Sequence, residues 1–147
     1  MVQYVVDASV LIQGYIREQD TPHVLTLIKL AFDTQQPVLH VPEFCLLECT
    51  NILWKRARFH KAGRDETEEA LANLTATPLV VQPVIDLLPR ILAIGLQHSL
   101  AIYDSSYIAL AEHLGYRLIT VDKRQTQVAS QIGVEIEPLS SFPAFQP

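Results

Sequence analysis

The chain has 147 residues, which is the usual size of one domain, and 49% of them are apolar while 18% are charged. This composition excludes a disordered chain, and no apolar run approaches the roughly 20 residues that a membrane-spanning helix needs. The formal charge of −5 excludes a protein that is basic overall, as many nucleic-acid binders are. Because residues 1–20 contain three acids and no early basic cluster, no secretory signal is predicted, and we expect a soluble cytoplasmic protein.

In the first half of the chain, short apolar strands alternate with helices. The apolar runs at residues 3–6 and 38–41 predict strands. Apolar residues at helical spacing predict helices over residues 8–17, 21–32, 43–60 and 65–74. Ser9 could cap the first of these helices, and Pro22 suits the first turn of the second.

The second half of the chain repeats this alternation. Strands are predicted at residues 79–82, 117–121 and 134–136, and helices at residues 83–98, 104–113 and 123–131. Pro89 predicts an irregularity in one helix, and Gly115 suits the end of another. We expect one domain over residues 1–140 and a short, extended and mobile tail at 141–147. Short apolar strands between helices predict a parallel sheet covered on both faces.

Four acids occupy positions where an ordinary apolar core would not place them. Asp7 and Asp122 each follow a strand-like run, Glu48 lies in an apolar helical stretch, and Asp104 opens an apolar helix. Burying a carboxylate beside apolar surface is costly unless it finds a partner. Because the carboxyl ends of parallel strands form the ligand-binding edge of such sheets, one divalent cation could serve all four. Oxygen ligands suit Mg²⁺ or Mn²⁺, which indicates phosphodiester hydrolysis.

Each acid also has a purely structural explanation. Asp7 and Asp104 could cap helices, and Asp122 could begin a turn. Glu48 could instead pair with Lys55 or Arg56. All of these explanations would have to hold together for the shared site to disappear.

Two further groups of residues stand out. Five of the eleven basic residues fall within ten positions: Lys55, Arg56, Arg58, Lys61 and Arg64. Such a basic cluster could attract RNA, although the helix dipole alone also favours cations near a helix C-terminus. Cys45 and Cys49 lie one helical turn apart, and we interpret them as two small buried residues rather than as half of a zinc site.

Four segments of the chain together resemble the PIN-domain family, and within it the VapC-type ribonuclease toxins. The segments are residues 5–11 around Asp7, Glu48 with Asn51 and Leu53, residues 103–111 around Asp104, and residues 118–124 around Asp122. Together the resemblance runs from residue 2 to about residue 139. Two departures are a glutamine, Gln125, where an aliphatic residue is common, and two serines after Asp104 in place of a frequent alanine.

The resemblance implies a three-layer α/β/α sandwich with a short, mainly parallel central sheet. It also implies a Mg²⁺- or Mn²⁺-dependent endoribonuclease that hydrolyses RNA as the toxin of a toxin–antitoxin pair. Metal binding and catalysis would fall to Asp7, Glu48, Asp104 and Asp122, with support from Ser9, Asn51 and Thr120. The expected partners are RNA, an antitoxin whose C-terminal segment covers the site, and a second copy of the chain.

Other sandwich enzymes with carboxylates at strand ends fit less well. A receiver domain needs adjacent acids after the first strand, and a haloacid-dehalogenase-type phosphatase needs an acid at the position of Ser9. The remaining alternative is a PIN-like module that binds RNA or protein without cutting.

Overall fold

The computed structural model describes residues 2–147, and within them the elements alternate as the sequence predicts. Four strands are present: β1 (Gln3–Val6), β2 (Val38–Pro42), β3 (Leu79–Gln82) and β4 (Arg117–Ile119). The α-helices in the same range are α1 (Ala8–Leu11), α2 (Thr21–Thr34), α3 (Cys45–Phe59), α4 (Arg64–Thr75), α5 (Leu88–His98), α6 (Ile102–Leu114) and α7 (Lys123–Ile132).

The strands form one parallel sheet in the order β3–β2–β1–β4. Val5 and Val6 are neighbours in β1 and therefore point to opposite faces of the sheet, yet both are completely buried. Helix α6 packs across β1, β2 and β4, and its residues 105–111 are all buried. Since both faces are covered, the predicted three-layer α/β/α sandwich is confirmed.

Several helices have boundaries that differ from the predicted ones. The helix predicted over residues 8–17 is α1 followed by a 3-10 turn at Ile12–Gly14. The glycine belongs there because a Cβ atom at Gly14 would lie 2.1 Å from Ile28 Cδ1. The helix predicted over 83–98 is a 3-10 turn at Ile85–Leu87 followed by α5, and Pro89 lies in the first turn of α5. The predicted irregularity is this change from 3-10 to α-helix just before Pro89, whose missing N–H group is tolerated in the first turn of a helix.

The end of the chain also differs from expectation. The predicted strand at 134–136 is a single parallel bridge between Leu118 and Ile136. The tail that follows packs against α2 instead of being free. Phe142 is buried, its carbonyl oxygen lies 2.7 Å from His23 Nδ1, and the Phe145 N–H group donates to the Pro22 carbonyl at 2.8 Å. Phe142 and Phe145 are thus joined to α2 by hydrogen bonds, while the mobility of the tail stays a prediction.

The core contains the two cysteines, which are free and completely buried, as interpreted from the sequence. In residues 2–147, no helix combines the length and apolar character needed to span a bilayer.

Candidate metal centre

The two acids at strand ends share one edge of the sheet. Strands β1 and β4 are paired neighbours, and the Asp7 N–H group donates to the Ile119 carbonyl at 3.0 Å. Asp7 directly follows β1, and Asp122 begins α7 shortly after β4. The parallel topology therefore delivers both carboxylates to the carboxyl edge, where α/β sheets bind ligands.

Asp7 is the most buried of the four acids, at 5% exposure. Burial raises the pKa of its carboxyl group, while hydrogen bonds from Ser9 and Gln125 oppose that rise. Asp7 Oδ2 accepts the Ser9 N–H group at 3.1 Å and also the Ser9 hydroxyl. Asp7, and not Ser9, is thus the cap of α1. The capping explanation therefore holds for Asp7, and a role of the same side chain in a shared cation site stays a prediction.

Asp104 lies in the first turn of α6, and the residue that precedes the helix is Ala101. The prediction that Asp104 caps this helix is therefore wrong. Burial, together with the charges of Asp7 and Asp122, raises the pKa of Asp104 from 3.8 to about 6. The negative charges of two other acids therefore disfavour ionisation of the Asp104 carboxyl group.

Glu48 finds a partner that sequence reasoning did not name. The Tyr107 hydroxyl donates to Glu48 Oε1 at 2.8 Å. Burial raises the pKa of Glu48, the Tyr107 hydrogen bond opposes that rise, and the charges of Asp7 and Asp104 add to it. Within residues 2–147 no ion pair joins Glu48 to Lys55 or Arg56, and the Arg56 guanidinium lies 3.2 Å from Glu18 Oε1 instead. Tyr107 was visible only as part of the apolar pattern around Asp104.

Asp122 is exposed, and its Oδ1 accepts the Gln125 N–H group at 2.7 Å. It therefore caps α7 and does more than begin a turn. Gln125 is completely buried, and its Nε2 lies 3.1 Å from the Asp104 carbonyl oxygen and 3.5 Å from Asp7 Oδ1. The Thr120 hydroxyl donates a hydrogen bond of 2.5 Å to Gln125 Oε1. We call Asp7, Asp104, Thr120, Asp122 and Gln125 the acid network.

A shallow apolar groove adjoins the acid network on the side of α3. Glu48 lines it together with Phe44, Leu47, Thr50, Asn51, Trp54 and Tyr103, and we call this set the α3 groove. Leu47 is 72% exposed and Trp54 54%, so large apolar surface faces solvent beside the acids. Glu48 and Asn51 share this face, as their spacing predicts.

The four acids have no basic partner. No salt bridge within residues 2–147 involves any of them, although their charges raise one another's pKa values. In the same range, no three acid, histidine or cysteine side chains are placed closely enough to enclose an ion as they stand. An all-oxygen donor set with unbalanced negative charge fits Mg²⁺, which keeps several waters and needs only one or two carboxylates directly.

The basic cluster extends beyond the groove, at the end of α3. Arg56 pairs with Glu18, and Arg64 Nε lies 2.9 Å from Glu68 Oε1. Arg58 lies over the Phe59 ring, 5.6 Å from its centroid. Two of the five cations are thus already balanced by acids.

Comparisons with known proteins identify the family and the fold. The family model described as PIN domain matches residues 4–131. A curated relative, Ribonuclease VapC3 of Pyrobaculum aerophilum, is 30% identical over 125 residues, which cover 84% of this chain and 92% of the relative.

Solved structures share the fold. A crystal structure from Pyrobaculum aerophilum superposes with a TM-score of 0.73 at 24% identity and covers 95% of this chain and 85% of the other. VapBC2 from Rickettsia felis, solved with a DNA fragment from its promoter, superposes with a TM-score of 0.62 at 11% identity, covering 93% and 98%. The family match over most of the sequence, together with the sandwich and its acids, places this chain in the PIN-domain family.

Proposed function

We propose that this protein is a metal-dependent endoribonuclease that hydrolyses RNA phosphodiester bonds and serves as the toxin of a toxin–antitoxin pair. The observation that carries the proposal is the convergence of four acids, none of them in an ion pair within residues 2–147, at one edge of a PIN-domain sheet. The ribonuclease name of the 30% identical relative supports RNA as the substrate.

The residues that would hold Mg²⁺ or Mn²⁺ are Asp7, Glu48, Asp104 and Asp122. When bound, such an ion supplies an activated water and stabilises the charge that develops on the phosphate. The protein's own contribution is orientation. The Ser9 N–H group donates a hydrogen bond to Asp7 Oδ2, the Tyr107 hydroxyl donates to Glu48 Oε1, and the Gln125 N–H group donates to Asp122 Oδ1. Asn51 lies on the groove face beside Glu48, and Thr120 supports the acids through Gln125.

The α3 groove suits an apolar segment of an antitoxin. Exposed patches of this kind, next to polar groups, are common at protein interaction sites. A segment that lies over Leu47, Trp54 and Tyr103 would also cover Glu48 and so block access to the acids. A toxin–antitoxin complex from Klebsiella pneumoniae, which shares the fold with a TM-score of 0.56 at 15% identity and covers 84% of this chain and 89% of the other, supports such a partner.

A second apolar surface, on β3 and α5, suits another copy of the chain. Strand β3 is an edge of the sheet, and its Val80 and Val81 are 41% and 49% exposed. Ile85, Leu88, Leu92 and Leu96 continue the surface along the following helix, each more than half exposed. An open apolar strand edge invites pairing, and a homodimer would cover it. Leu92→Glu with Leu96→Glu should give a monomer in light scattering, whereas Phe32→Glu on α2 should not.

The basic cluster is the proposed contact for the RNA backbone. Lys55, Arg58 and Lys61 form no ion pair within residues 2–147, which leaves three cations for phosphate groups. The protein's overall negative charge would otherwise repel RNA, so a local cluster has to supply the attraction.

The decisive experiment is RNA cleavage with and without EDTA. Wild-type protein should cut RNA in Mn²⁺ or Mg²⁺ and stop in EDTA. Asp7→Asn should cut more than about 100-fold more slowly, because even the outer partners of metal ligands are worth 10- to 100-fold. Asp33→Asn is the matched control, since Asp33 is an exposed acid paired with Lys29 on α2. Cleavage that survives EDTA, or that proceeds in Asp7→Asn as fast as in the Asp33→Asn control, would contradict the proposal.

A further inference from the structure

We propose that Gln125 is a positioning residue that holds three of the acids in the positions that the cation requires. The inference rests on the proposed function and deepens it. Gln125 would not bind the metal or RNA itself. Its side chain and main chain would fix where the acids stand.

Burial is the first reason to assign a role to Gln125. The side chain is completely buried on α7 beside Val128 and Ala129, where an aliphatic residue would pack at no polar cost. A buried amide that is not hydrogen-bonded costs free energy, so a glutamine here needs partners for both of its polar atoms. It has them, and all of them belong to the acid network.

The orientation of the amide is determined by Thr120. Thr120 Oγ1 accepts the Asp122 N–H group at 3.1 Å, so its own hydrogen is free to point at Gln125 Oε1. Gln125 Nε2 must then face Asp7 Oδ1 and the Asp104 carbonyl oxygen. The flipped amide would place its oxygen against two acceptors, which electrostatics forbids.

The contacts of Gln125 reach three separate parts of the fold. Its Nε2 donates to the Asp104 main chain on α6 at 3.1 Å and makes a longer contact of 3.5 Å to Asp7 after β1. Its main-chain N–H donates to Asp122 at the start of α7. One residue thus ties together acids that lie far apart in sequence and would repel one another without a cation.

The test is Gln125→Met, which keeps the length of the side chain and removes its amide. The Mn²⁺ Kd, measured by calorimetry on the folded full chain, should weaken by about 10- to 100-fold, the effect expected for partners of metal ligands. The kcat for RNA cleavage should fall while KM stays unchanged, because no RNA contact is lost. Gln131→Met is the matched control, since Gln131 is an exposed glutamine on the same helix.

A second variant covers the case in which Gln125→Met does not fold. Thr120→Val removes the hydroxyl that orients the amide and should weaken Mn²⁺ binding in the same direction by a smaller factor. A purely structural role would lower the melting temperature of the metal-free protein and leave the Mn²⁺ Kd unchanged.

The inference is overturned if the folded variants bind Mn²⁺ within about twofold of wild type, well short of the expected loss, while the wild type cuts RNA. A wild type that neither binds Mn²⁺ nor cuts RNA would instead overturn the proposed function, and this inference with it.

Discussion

The acid network and the α3 groove lie side by side, yet they are built in opposite ways. In the acid network, buried polar atoms are hydrogen-bonded to one another, and Gln125 and Thr120 leave no polar atom unsatisfied. In the α3 groove, large apolar side chains such as Leu47 and Trp54 stay exposed. Glu48 links the two, since it lines the groove and the charges of Asp7 and Asp104 contribute to raising its pKa.

This contrast separates two tasks. A preorganised polar cluster suits a small cation, because the geometry of its ligands must be set in advance. An exposed apolar surface suits a macromolecule, because burying it on binding releases free energy. Variants in the acid network should therefore alter chemistry and metal affinity, and variants in the α3 groove should alter partner affinity.

The largest effect should come from the metal itself. A Mn²⁺ concentration of 100 times Kd should stabilise the fold by about 2.7 kcal/mol, which is roughly 5–10 °C in melting temperature for a domain of this size. Scanning calorimetry with and without Mn²⁺ measures this. An unchanged melting temperature would contradict a metal-binding acid network.

The stability of the metal-free protein should depend on pH. Because Asp104 has a pKa of about 6 in the folded state against 3.8 ordinarily, the native state binds more protons than the unfolded state between these values. The free energy of unfolding of the metal-free protein should therefore fall as pH rises from about 4 to 6. Asp7 and Glu48, whose pKa values are also raised, act in the same direction. Asp104→Asn should flatten the dependence, and an equally steep curve in that variant would remove Asp104 as its source.

The next-largest effect should come from a substitution in the α3 groove. Trp54→Ala should weaken binding of the antitoxin by about 2 kcal/mol, or roughly 30-fold, because a buried interface tryptophan often dominates affinity. RNA cleavage by the free protein should stay intact. The measurement is titration with the product of a neighbouring antitoxin-like reading frame, and Phe32→Ala on α2 serves as the control. Equal losses in both variants would mean that the α3 groove is not the docking site.

The smallest effect should come from the basic cluster. Arg58→Gln with Lys61→Gln should weaken RNA binding several-fold and reduce the slope of log K against log salt by about 1.4, the value for two phosphate contacts on a single strand. Lys29→Gln should change neither, since Lys29 is already paired with Asp33. A salt slope equal to that of wild type would indicate a solvated helix end instead.

Sequence reasoning anticipated the topology and the edge of the sheet at which the two strand-end acids lie. Alternating short apolar strands and helices leave few arrangements other than a covered parallel sheet, and acids at strand ends must then meet at its edge. Asp7 and Asp122 also show that a helix cap and a candidate ligand can be the same carboxylate.

The partners of the acids could not be predicted in the same way. Tyr107 and Gln125 reach Glu48 and Asp7 across long sequence separations, and such contacts follow from tertiary packing alone. Gln125 stood out only as a polar residue at an apolar position. That mismatch was the available signal, because a buried amide has to find specific partners.

The pairing of β1 with β4 also has a consequence for timing. Asp122 is synthesised 115 residues after Asp7 (122 − 7), and their edge of the sheet exists only once β4 has joined β1. At typical translation speeds of about 5–20 residues per second, the ribosome needs roughly 6–23 seconds to pass from Asp7 to Asp122. Until then a nascent chain lacks the full set of proposed metal ligands, which would leave an interval in which an antitoxin could meet it first.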